Sequence, residues 1–280
     1  MNKHEFRVGI EVGGTFTDLV ASDGYQIKTA KVPSTPSKPD EGAMNAIRAA
    51  ELDISQIKEL VHGSTVATNA VLERKGGRVC LFVTKGTRDI LLLQRHDRRS
   101  IYDLHYKKPE PVVARHDTYE IKERISPDGA IVLDIDEDHA REQIKTALRD
   151  GRFDSAAICF LHSYTNSRHE RLLKELIQQE FPSLPITCSC DVTREFREYE
   201  RASTTTLAAY VQPVIAGYIK RFSASLTKQG FKGRFSIMQS NGGRMPAEAM
   251  SKNAISALFS GPAAGVVRAI RGISSAGYDN

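Results

Sequence analysis

The chain has no long hydrophobic segment. Among its 280 residues, no apolar run approaches the roughly 18 residues that a membrane span requires, so we expect no membrane partner. Its first residues read MNKHEF and lack the apolar stretch of a secretory signal peptide. We therefore expect a cytoplasmic protein.

Cysteine is also scarce, with four residues in the whole chain. Cys80 and Cys159 lie inside apolar runs, which is typical of buried thiols in a reducing compartment. Cys188 and Cys190 lack the C-x-x-C spacing and the further ligands of a zinc site, so we interpret them as residues of one strand.

A strong excess of charge of one sign is missing. The 39 basic residues exceed the 34 acidic ones by five, and they are scattered, so nothing indicates a nucleic-acid partner. Residues 94–129 mix arginine and lysine with tyrosine, a combination that also occurs in single-strand binders. Because acidic residues are interspersed and no clear periodicity is present, we favour a solvated excursion over a neighbouring domain.

What the sequence does have is a regular alternation of strand and helix patterns. Three short strand patterns within residues 7–32 precede a helix pattern from Ser37 to about Ala50, where Ser37 and Asp40 have capping-box spacing. Such a beginning predicts a ribonuclease-H-like α/β fold with mixed sheets and flanking helices. The length favours two subdomains, which we place at residues 1–192 and 193–280.

Later segments continue the pattern. Ser155–Leu161 and Ile186–Val192 are predicted strands, and Ser167 with Glu170 again has the spacing of a capping box. A long helix is predicted from about Glu198 to Gln229, with a kink at Pro213.

The most informative stretch is the turn after the first strand. Gly13 and Gly14 are followed by the hydroxyls of Thr15 and Thr17 and by Asp18. Adjacent glycines allow a close approach of backbone N–H groups to a ligand, and a row of such groups beside hydroxyls suits a phosphate. The alternative is a tight hairpin turn that only joins two strands. The hydroxyl-rich continuation favours phosphate binding.

Further polar, glycine-associated segments follow predicted strands at residues 62–69, 240–243 and 260–265. In open α/β sheets ligands bind beyond the carboxyl ends of the strands, so these segments are expected to converge. The segment 62–69 offers an imidazole, three hydroxyls and an amide, and this density favours a role in substrate binding. We expect His62 to face a cleft opposite the Gly13–Gly14 turn, and Pro262 to begin a helix. Helix capping by Ser64 and a structural histidine are the competing interpretations.

Seven segments together resemble the hydantoinase A/5-oxoprolinase family, which includes N-methylhydantoinases and subunits of ketone carboxylases. They occur in the family's order and cover nearly the whole chain: GIEVGGTFTD (9–18), KVPSTP (31–36), HGSTVATNA (62–70), LHSY (161–164), FREYERASTT (196–205), MQSNGG (238–243) and SGPAAGVV (260–267). The resemblance implies the actin-like, sugar-kinase-like ATPase fold. It also implies ATP and Mg²⁺ as cofactors, a cyclic amide or a ketone as substrate, and a hydantoinase B-type partner subunit. For the mechanism that it implies, the candidates for holding the cyclic amide or carbonyl are His62, Thr65, Asn69 and Asn241.

The same resemblance implies that residues 9–18 form the first phosphate loop, with Glu11 holding Mg²⁺ through water. Relatives with this fold usually have aspartate at that position, and glutamate reaches one methylene further. Family members also continue beyond the point where this chain ends, into a second phosphate loop, so we expect the chain to be an N-terminal portion that is inactive in isolation.

Three functional hypotheses follow. The first is the N-terminal segment of an ATP-dependent hydrolase that opens cyclic amides by phosphorylating the amide oxygen. The second is the ATP-using subunit of an acetone- or acetophenone-type carboxylase. The third is a truncated, non-catalytic fragment that binds a partner subunit. No residue of the chain is assigned as the general base.

Overall fold

A computed structural model describes residues 5–98, 100–258, 260, 261, 263, 265, 266 and 269. Within these residues the strands are β1 (Phe6–Val12), β2 (Phe16–Ser22), β3 (Ile27–Pro33), β4 (Ile57–Ser64), β5 (Val79–Thr84), β6 (Thr118–Ile121), β7 (Arg124–Ile125), β8 (Ile131–Leu133), β9 (Ser155–Cys159), β10 (Ile186–Cys188), β11 (Arg234–Met238) and β12 (Arg244–Pro246). The α-helices are α1 (Pro39–Ala49), α2 (Val66–Leu72), α3 (Ile90–Leu93), α4 (Glu137–Leu148), α5 (Arg168–Glu180), α6 (Ser189–Val192), α7 (Glu198–Lys228) and α8 (Ala247–Lys252). None of these helices is both long and apolar enough to cross a membrane.

The chain divides into two compact units. Unit 1 consists of Met1–Lys75 together with Val214–Asn280, and unit 2 is Gly76–Pro213. Unit 1 is therefore built from two separate stretches of sequence. The subdomain boundary near residue 192 remains a prediction.

Unit 1 contains a mixed six-stranded sheet in the order β12-β11-β4-β1-β2-β3. The neighbours β1 and β4, and β4 and β11, are parallel, whereas the remaining pairs are antiparallel. Alternation along β1 turns Val8, Ile10 and Val12 into the core, where they join Ile47 of α1 and Phe222 of α7. The other face of β1 carries Glu11.

Unit 2 contains a parallel four-stranded sheet in the order β10-β9-β5-β6. Every residue of β5 and β9 is buried, as expected for strands covered on both faces. Helices α4 and α5 supply Ile144, Leu173 and Ile177 to the core of this unit. A short hairpin of β7 and β8 lies beside the main sheet.

Three sequence predictions need correction. Residues 94–129 contain strand β6, which pairs with β5 and places the fully buried Ile121 in the core. The strand predicted over 186–192 ends at Cys188, and Ser189 begins helix α6. Cys190 therefore lies on a helix rather than on the strand that holds Cys188.

The two predicted capping boxes are the third correction. Helix α1 begins after Lys38 and helix α5 after Ser167, and neither cap residue makes a side-chain capping bond. Glu170 is completely buried and accepts hydrogen bonds from the backbone N–H groups of Phe160 and Cys190 instead. A buried carboxylate is satisfied better by these donors than by the exposed first turn of its own helix.

Candidate active site

The glycine turn connects β1 to β2. The Gly13 N–H donates to the Phe16 carbonyl at 3.0 Å, and a Cβ on Gly13 would stand 3.0 Å from the same oxygen. Gly14 has open space on the side where a Cβ would lie. Gly13 is therefore required for the closure of the turn, whereas Gly14 leaves its outer face open. The Thr15 carbonyl accepts from the Ser34 N–H at 2.9 Å and fixes the turn to the segment after β3.

A cavity of about 620 Å³ lies beside this turn, and all of its lining belongs to unit 1. It brings together four of the residues predicted from sequence: Gly13, Gly14, Thr65 and Asn69. The charged residues of its lining, Glu73 and Lys75, form an ion pair with each other at 2.7 Å. The cavity thus combines exposed backbone with neutral hydrogen-bonding side chains.

Thr65 and Asn69 are held in place by the end of β1. Both the N–H and the hydroxyl of Thr65 donate to the Val12 carbonyl, at 3.2 and 3.3 Å. One turn further along α2, Asn69 Nδ2 donates to Thr65 Oγ1 at 3.3 Å. Ser64 Oγ accepts from the Val66 N–H at 3.2 Å, so it does contribute to the helix start. The two candidates therefore have a fixed orientation next to the glycine turn.

The sequence interpretation missed one segment that lines the cavity. The loop between β3 and α1 contributes Ser34, Thr35 and Ser37, which add hydroxyl groups to the lining. The signal was present in KVPSTPS, where prolines interrupt the strand pattern and hydroxyl residues lie between them.

Thr15 and Thr17 differ in their surroundings. Thr15 is exposed at the tip of the turn. Thr17 is completely buried and shares a 3.0 Å hydrogen bond between its Oγ1 and Ser34 Oγ. Thr17 consequently fixes the loop after β3 and does not line the cavity.

Glu11 and Asp18 lie directly opposite each other on the antiparallel strands β1 and β2. Burial, and secondarily the charge of Asp18, raises the pKa of Glu11 above its usual value. Asp18 also pairs with Lys31 at 2.9 Å. The two carboxylates supply hard oxygen donors from register partners on neighbouring strands, the type of ligand that Mg²⁺ prefers, so the pair fits Mg²⁺.

Within the described ranges, no group of three or more histidine, cysteine, aspartate or glutamate side chains is arranged to hold a metal ion. Mg²⁺ at this pair would therefore keep most of its water ligands, as it does at sites with few carboxylates.

Gly261, in the last of the polar segments predicted from the sequence, approaches Glu11. An ideal Cβ on Gly261 would stand 3.5 Å from Glu11 Oε1. Ser260 is 2% exposed, and its hydroxyl has no hydrogen-bond partner among the described residues. Pro262, where we predicted a helix to begin, lies outside the described residues.

His62 does not face a cleft. Its side chain is completely buried in unit 1, where the rings of Phe222 and Phe235 pack around it. Its Nδ1 lies 3.2 Å from the Ile10 carbonyl, and its Nε2 lies 2.5 Å from the Tyr218 hydroxyl. The expected orientation was wrong because β4 is an inner strand, on which His62 alternates with Gly63 and points to the core.

The hydrogen-bond partners of His62 determine its tautomer. Because a carbonyl oxygen only accepts, Nδ1 carries the proton and Nε2 accepts from Tyr218. Burial lowers the pKa of His62 to about 4, although the bond to Ile10 opposes the shift, so the ring is neutral at pH 7. Asn241 also lies away from the cavity lining, in a turn where its Oδ1 accepts from the Gly243 N–H at 2.8 Å.

Comparison with curated proteins identifies relatives along almost the whole chain. A Methanocaldococcus jannaschii protein described as uncharacterized is 38% identical over 267 residues, which is 94% of this chain and 39% of that protein. Caprolactamase subunit alpha of Pseudomonas jessenii is 32% identical over 94% of this chain and 39% of that subunit. The 5-oxoprolinase of Saccharomyces cerevisiae is 32% identical over 100% of this chain and 24% of that protein. The chain thus spans about two fifths or less of these relatives.

Solved structures agree with the α/β fold predicted from the sequence. The nucleotide-free structure of acetone carboxylase, from work on ATP-dependent acetone carboxylation, superposes with a TM-score of 0.85 at 26% identity. It covers 99% of this chain and 42% of that chain. The crystal structure of the ATP-dependent caprolactamase from Pseudomonas jessenii gives a TM-score of 0.82 at 32% identity, over 92% of this chain and 39% of that chain. The fold class is confirmed.

Two protein-family models match the sequence. The hydantoinase/oxoprolinase N-terminal region matches residues 7–181, and hydantoinase/oxoprolinase matches residues 201–280. The first match alone covers more than half of the chain, and the protein therefore belongs to the hydantoinase/oxoprolinase family.

Proposed function

We propose that the protein is an ATP-dependent hydrolase that opens a cyclic amide, and that this chain supplies one phosphate-binding half of the site. The main observation in support of this proposal is that Gly13, Gly14, Thr65 and Asn69 line one cavity. Relatives named 5-oxoprolinase and caprolactamase subunit alpha support this reaction class.

An unstrained amide resists attack by water because its oxygen and nitrogen are poor leaving groups. Transfer of the γ-phosphoryl group of ATP to the amide oxygen releases ADP and turns that oxygen into a leaving group. Water then adds to the same carbon, and cleavage of the C–N bond opens the ring to an amine and an acyl phosphate. A second water molecule hydrolyses the acyl phosphate to a carboxylate and inorganic phosphate. This sequence needs a site that positions a phosphoryl group against a carbonyl oxygen.

The glycine turn is proposed to position the phosphates, with Gly14 and Thr15 at its open tip. Asp18 and Glu11 are proposed to hold Mg²⁺ through water. Bound Mg²⁺ would neutralise charge on the transferred phosphoryl group.

Thr65 and Asn69 are proposed to orient the amide carbonyl, because they lie in the same cavity as the turn and their positions are fixed by Val12. His62 is proposed to stabilise the packing of β4 rather than to contact substrate, since its ring nitrogens are both engaged in the core. Asn241 is proposed to act only where a larger assembly completes the site.

We also propose that the protein belongs to a multisubunit assembly in a reducing compartment. One of them is named as a subunit alpha, and we propose that this protein likewise binds a second, hydantoinase B-type subunit. All four cysteines are buried and free, in agreement with a cytoplasmic location.

The test is ADP release by the complete gene product in the presence of single substrates. We expect Mg²⁺-dependent ADP release with hydantoin, caprolactam or 5-oxoproline and formation of the ring-opened product. Asn69→Ala is expected to lower the substrate-stimulated rate about 10²-fold, in the range found when a preorganised donor is removed. Asn45→Ala is the matched control, because Asn45 lies on α1, bonds Arg48 and does not line the cavity.

A second candidate is the ATP-using subunit of a ketone carboxylase, which the similarity to acetone carboxylase favours. It predicts ADP release that requires acetone or acetophenone together with bicarbonate, and none with cyclic amides. If no substrate stimulates ADP release although the protein is folded and its partner subunit is present, the result favours the third hypothesis, a non-catalytic fragment that binds a partner subunit.

A further inference from the structure

Glu11 lies over a residue that has no side chain. In the parallel pairing of β1 and β4, Glu11 is the register partner of Gly63. An ideal Cβ on Gly63 would overlap Glu11 Oε2 and stand 2.9 Å from Glu11 Cδ. Real Cβ atoms essentially never come this close, so the carboxylate of Glu11 occupies the volume that a side chain at position 63 would need.

Backbone conformation does not explain glycine at this position. Gly63 lies inside strand β4, and it is absent from the glycines with positive φ among the described residues. Any residue could adopt this extended backbone. What distinguishes this position is the space above β4, which the Glu11 carboxylate fills.

Another glycine on the same strand face provides a comparison. Gly9 precedes Glu11 by two residues on β1, and a Cβ there would meet only the Val20 carbonyl, at 3.9 Å. Alanine therefore fits at position 9 without displacing any neighbour, whereas alanine at position 63 must displace Glu11.

We propose that Gly63 is the positioning residue for the Glu11 carboxylate, and that it allows a glutamate to serve where a shorter acid would otherwise be needed. The inference rests on the proposed function, in which Glu11 holds Mg²⁺ through water. The side chain of glutamate has one methylene more than that of aspartate, and the open volume over Gly63 accommodates it. The carboxylate then lies across β4, with Oε1 next to Gly261.

Displacement of the carboxylate has a defined consequence. On the other side of β1, the register partner of Glu11 is Asp18, so movement away from β4 brings two carboxylates closer together. A shorter distance between two negative charges disfavours the state in which both carboxylates are ionised. A bound cation requires that state. Gly63→Ala should therefore impair the cation site even though position 63 carries no ligand atom.

The test compares the complete gene product with four variants: Gly63→Ala, Glu11→Asp, the double variant and the control Gly9→Ala. Calorimetry measures ATP affinity as a function of Mg²⁺ concentration. For Gly63→Ala we expect the half-saturating Mg²⁺ concentration to rise at least tenfold, and for Gly9→Ala to stay within twofold of wild type. The double variant should recover most of the loss, because aspartate withdraws from the volume over position 63.

The inference is overturned if Gly63→Ala behaves like Gly9→Ala, or if the double variant is no better than Gly63→Ala. Ligand-free measurements separate this failure from failure of the proposed function. Gly63→Ala should lower the melting temperature by several degrees, and adding Glu11→Asp should restore it in the double variant. In a crystal structure of Gly63→Ala, the Glu11 carboxylate should be displaced. If these hold while the wild type binds no Mg²⁺·ATP, the positioning is correct and the proposed function is wrong.

Discussion

Two buried histidines illustrate how the same side chain acquires opposite charge preferences. His62 in unit 1 has a lowered pKa because its burial among Tyr218, Phe222 and Phe235 disfavours the imidazolium. Burial also acts to lower the pKa of His169 in unit 2, but hydrogen bonds and charge from Glu123 and Asp134 outweigh it and raise the pKa. The partners, rather than burial alone, decide the protonation state.

A pH-dependent contribution of His62 to stability follows from its lowered pKa. The unfolded chain binds a proton at His62 below about pH 6.5, whereas the folded protein resists protonation until about pH 4. The contribution is complete above pH 6.5 and is lost as the pH falls toward 4. Between about pH 7.5 and about pH 5 it decreases by about 2 kcal/mol.

Urea unfolding of wild type and His62→Ala at the two pH values measures this difference. We expect the free energy of unfolding to fall by about 2 kcal/mol less in the variant, since His169 and all other groups titrate in both proteins. His62→Ala should also melt at a lower temperature at pH 7.5, because Tyr218 loses its acceptor. Equal pH slopes for the two proteins would show that His62 titrates normally.

At the scale of elements, helix α7 accommodates a proline in its interior. Pro213 has no N–H to donate to the Ala209 carbonyl one turn earlier. Ser155 Oγ donates to that carbonyl instead, at 2.8 Å, and the Gly77 N–H donates to the Tyr210 carbonyl at 2.9 Å. Ser155 of β9 thus supplies the hydrogen bond that Pro213 cannot donate, and Gly77, in the segment before β5, adds a second hydrogen bond to the helix.

Ser155→Ala should therefore destabilise unit 2, because the buried Ala209 carbonyl loses its donor. The expected cost is about 1–3 kcal/mol in the free energy of unfolding. In a Pro213→Ala background the helix recovers its own N–H donor, so the same serine substitution should cost clearly less. Denaturant unfolding of the four proteins in this cycle measures the coupling, and the exposed Ser183→Ala serves as control. Additive effects of the two substitutions would contradict the role of Ser155.

Another element-level feature explains two motifs that the proposed reaction does not use. Residues 161–164 and 196–205 meet in unit 2, where the buried Arg201 donates to the Phe160 carbonyl and to the hydroxyls of Ser163 and Ser189. Glu170 accepts from the same two hydroxyls, at 2.8 and 2.6 Å. These motifs therefore join α5, α6, α7 and the end of β9.

At the scale of the whole molecule, the glycine turn and its cavity lie in unit 1, and the chain spans 24–39% of the length of the curated relatives compared. A single glycine turn contacts one side of a triphosphate. We therefore expect residues 1–280 alone to bind Mg²⁺·ATP at least a hundredfold more weakly than the complete gene product, and to hydrolyse none.

Calorimetry on both proteins tests this expectation, with circular dichroism to verify that the shorter chain is folded. Gly13→Val should weaken binding only in the complete protein, where the turn forms part of a closed site. A valine side chain there would collide with the Phe16 carbonyl. Micromolar affinity of the isolated, folded chain would contradict the prediction.

Local sequence was sufficient for most of the elements and for the family. The strands around the glycine turn and the long helix α7 were predicted within a few residues, because alternation, helical periodicity and glycine or proline punctuation act over short distances. The sequence also predicted that Gly13 and Gly14 lie near Thr65 and Asn69, which line the same cavity. Both segments follow strands that end at one edge of a sheet.

The direction of individual polar side chains was decided by tertiary structure. His62 has the same local sequence whether it points to a cleft or to a core. Only the packing of Phe222 and of Tyr218, which is 156 residues away in the sequence, determines which face is buried. Glu170 does not cap its own helix because donors from Phe160, Ser163 and Cys190, in two other segments, surround its carboxylate. Strand β6 formed in a charged, aperiodic segment because β5 offered it a partner. In each case a long-range contact outweighed the local preference, since burial and its hydrogen bonds exceed propensity in free energy.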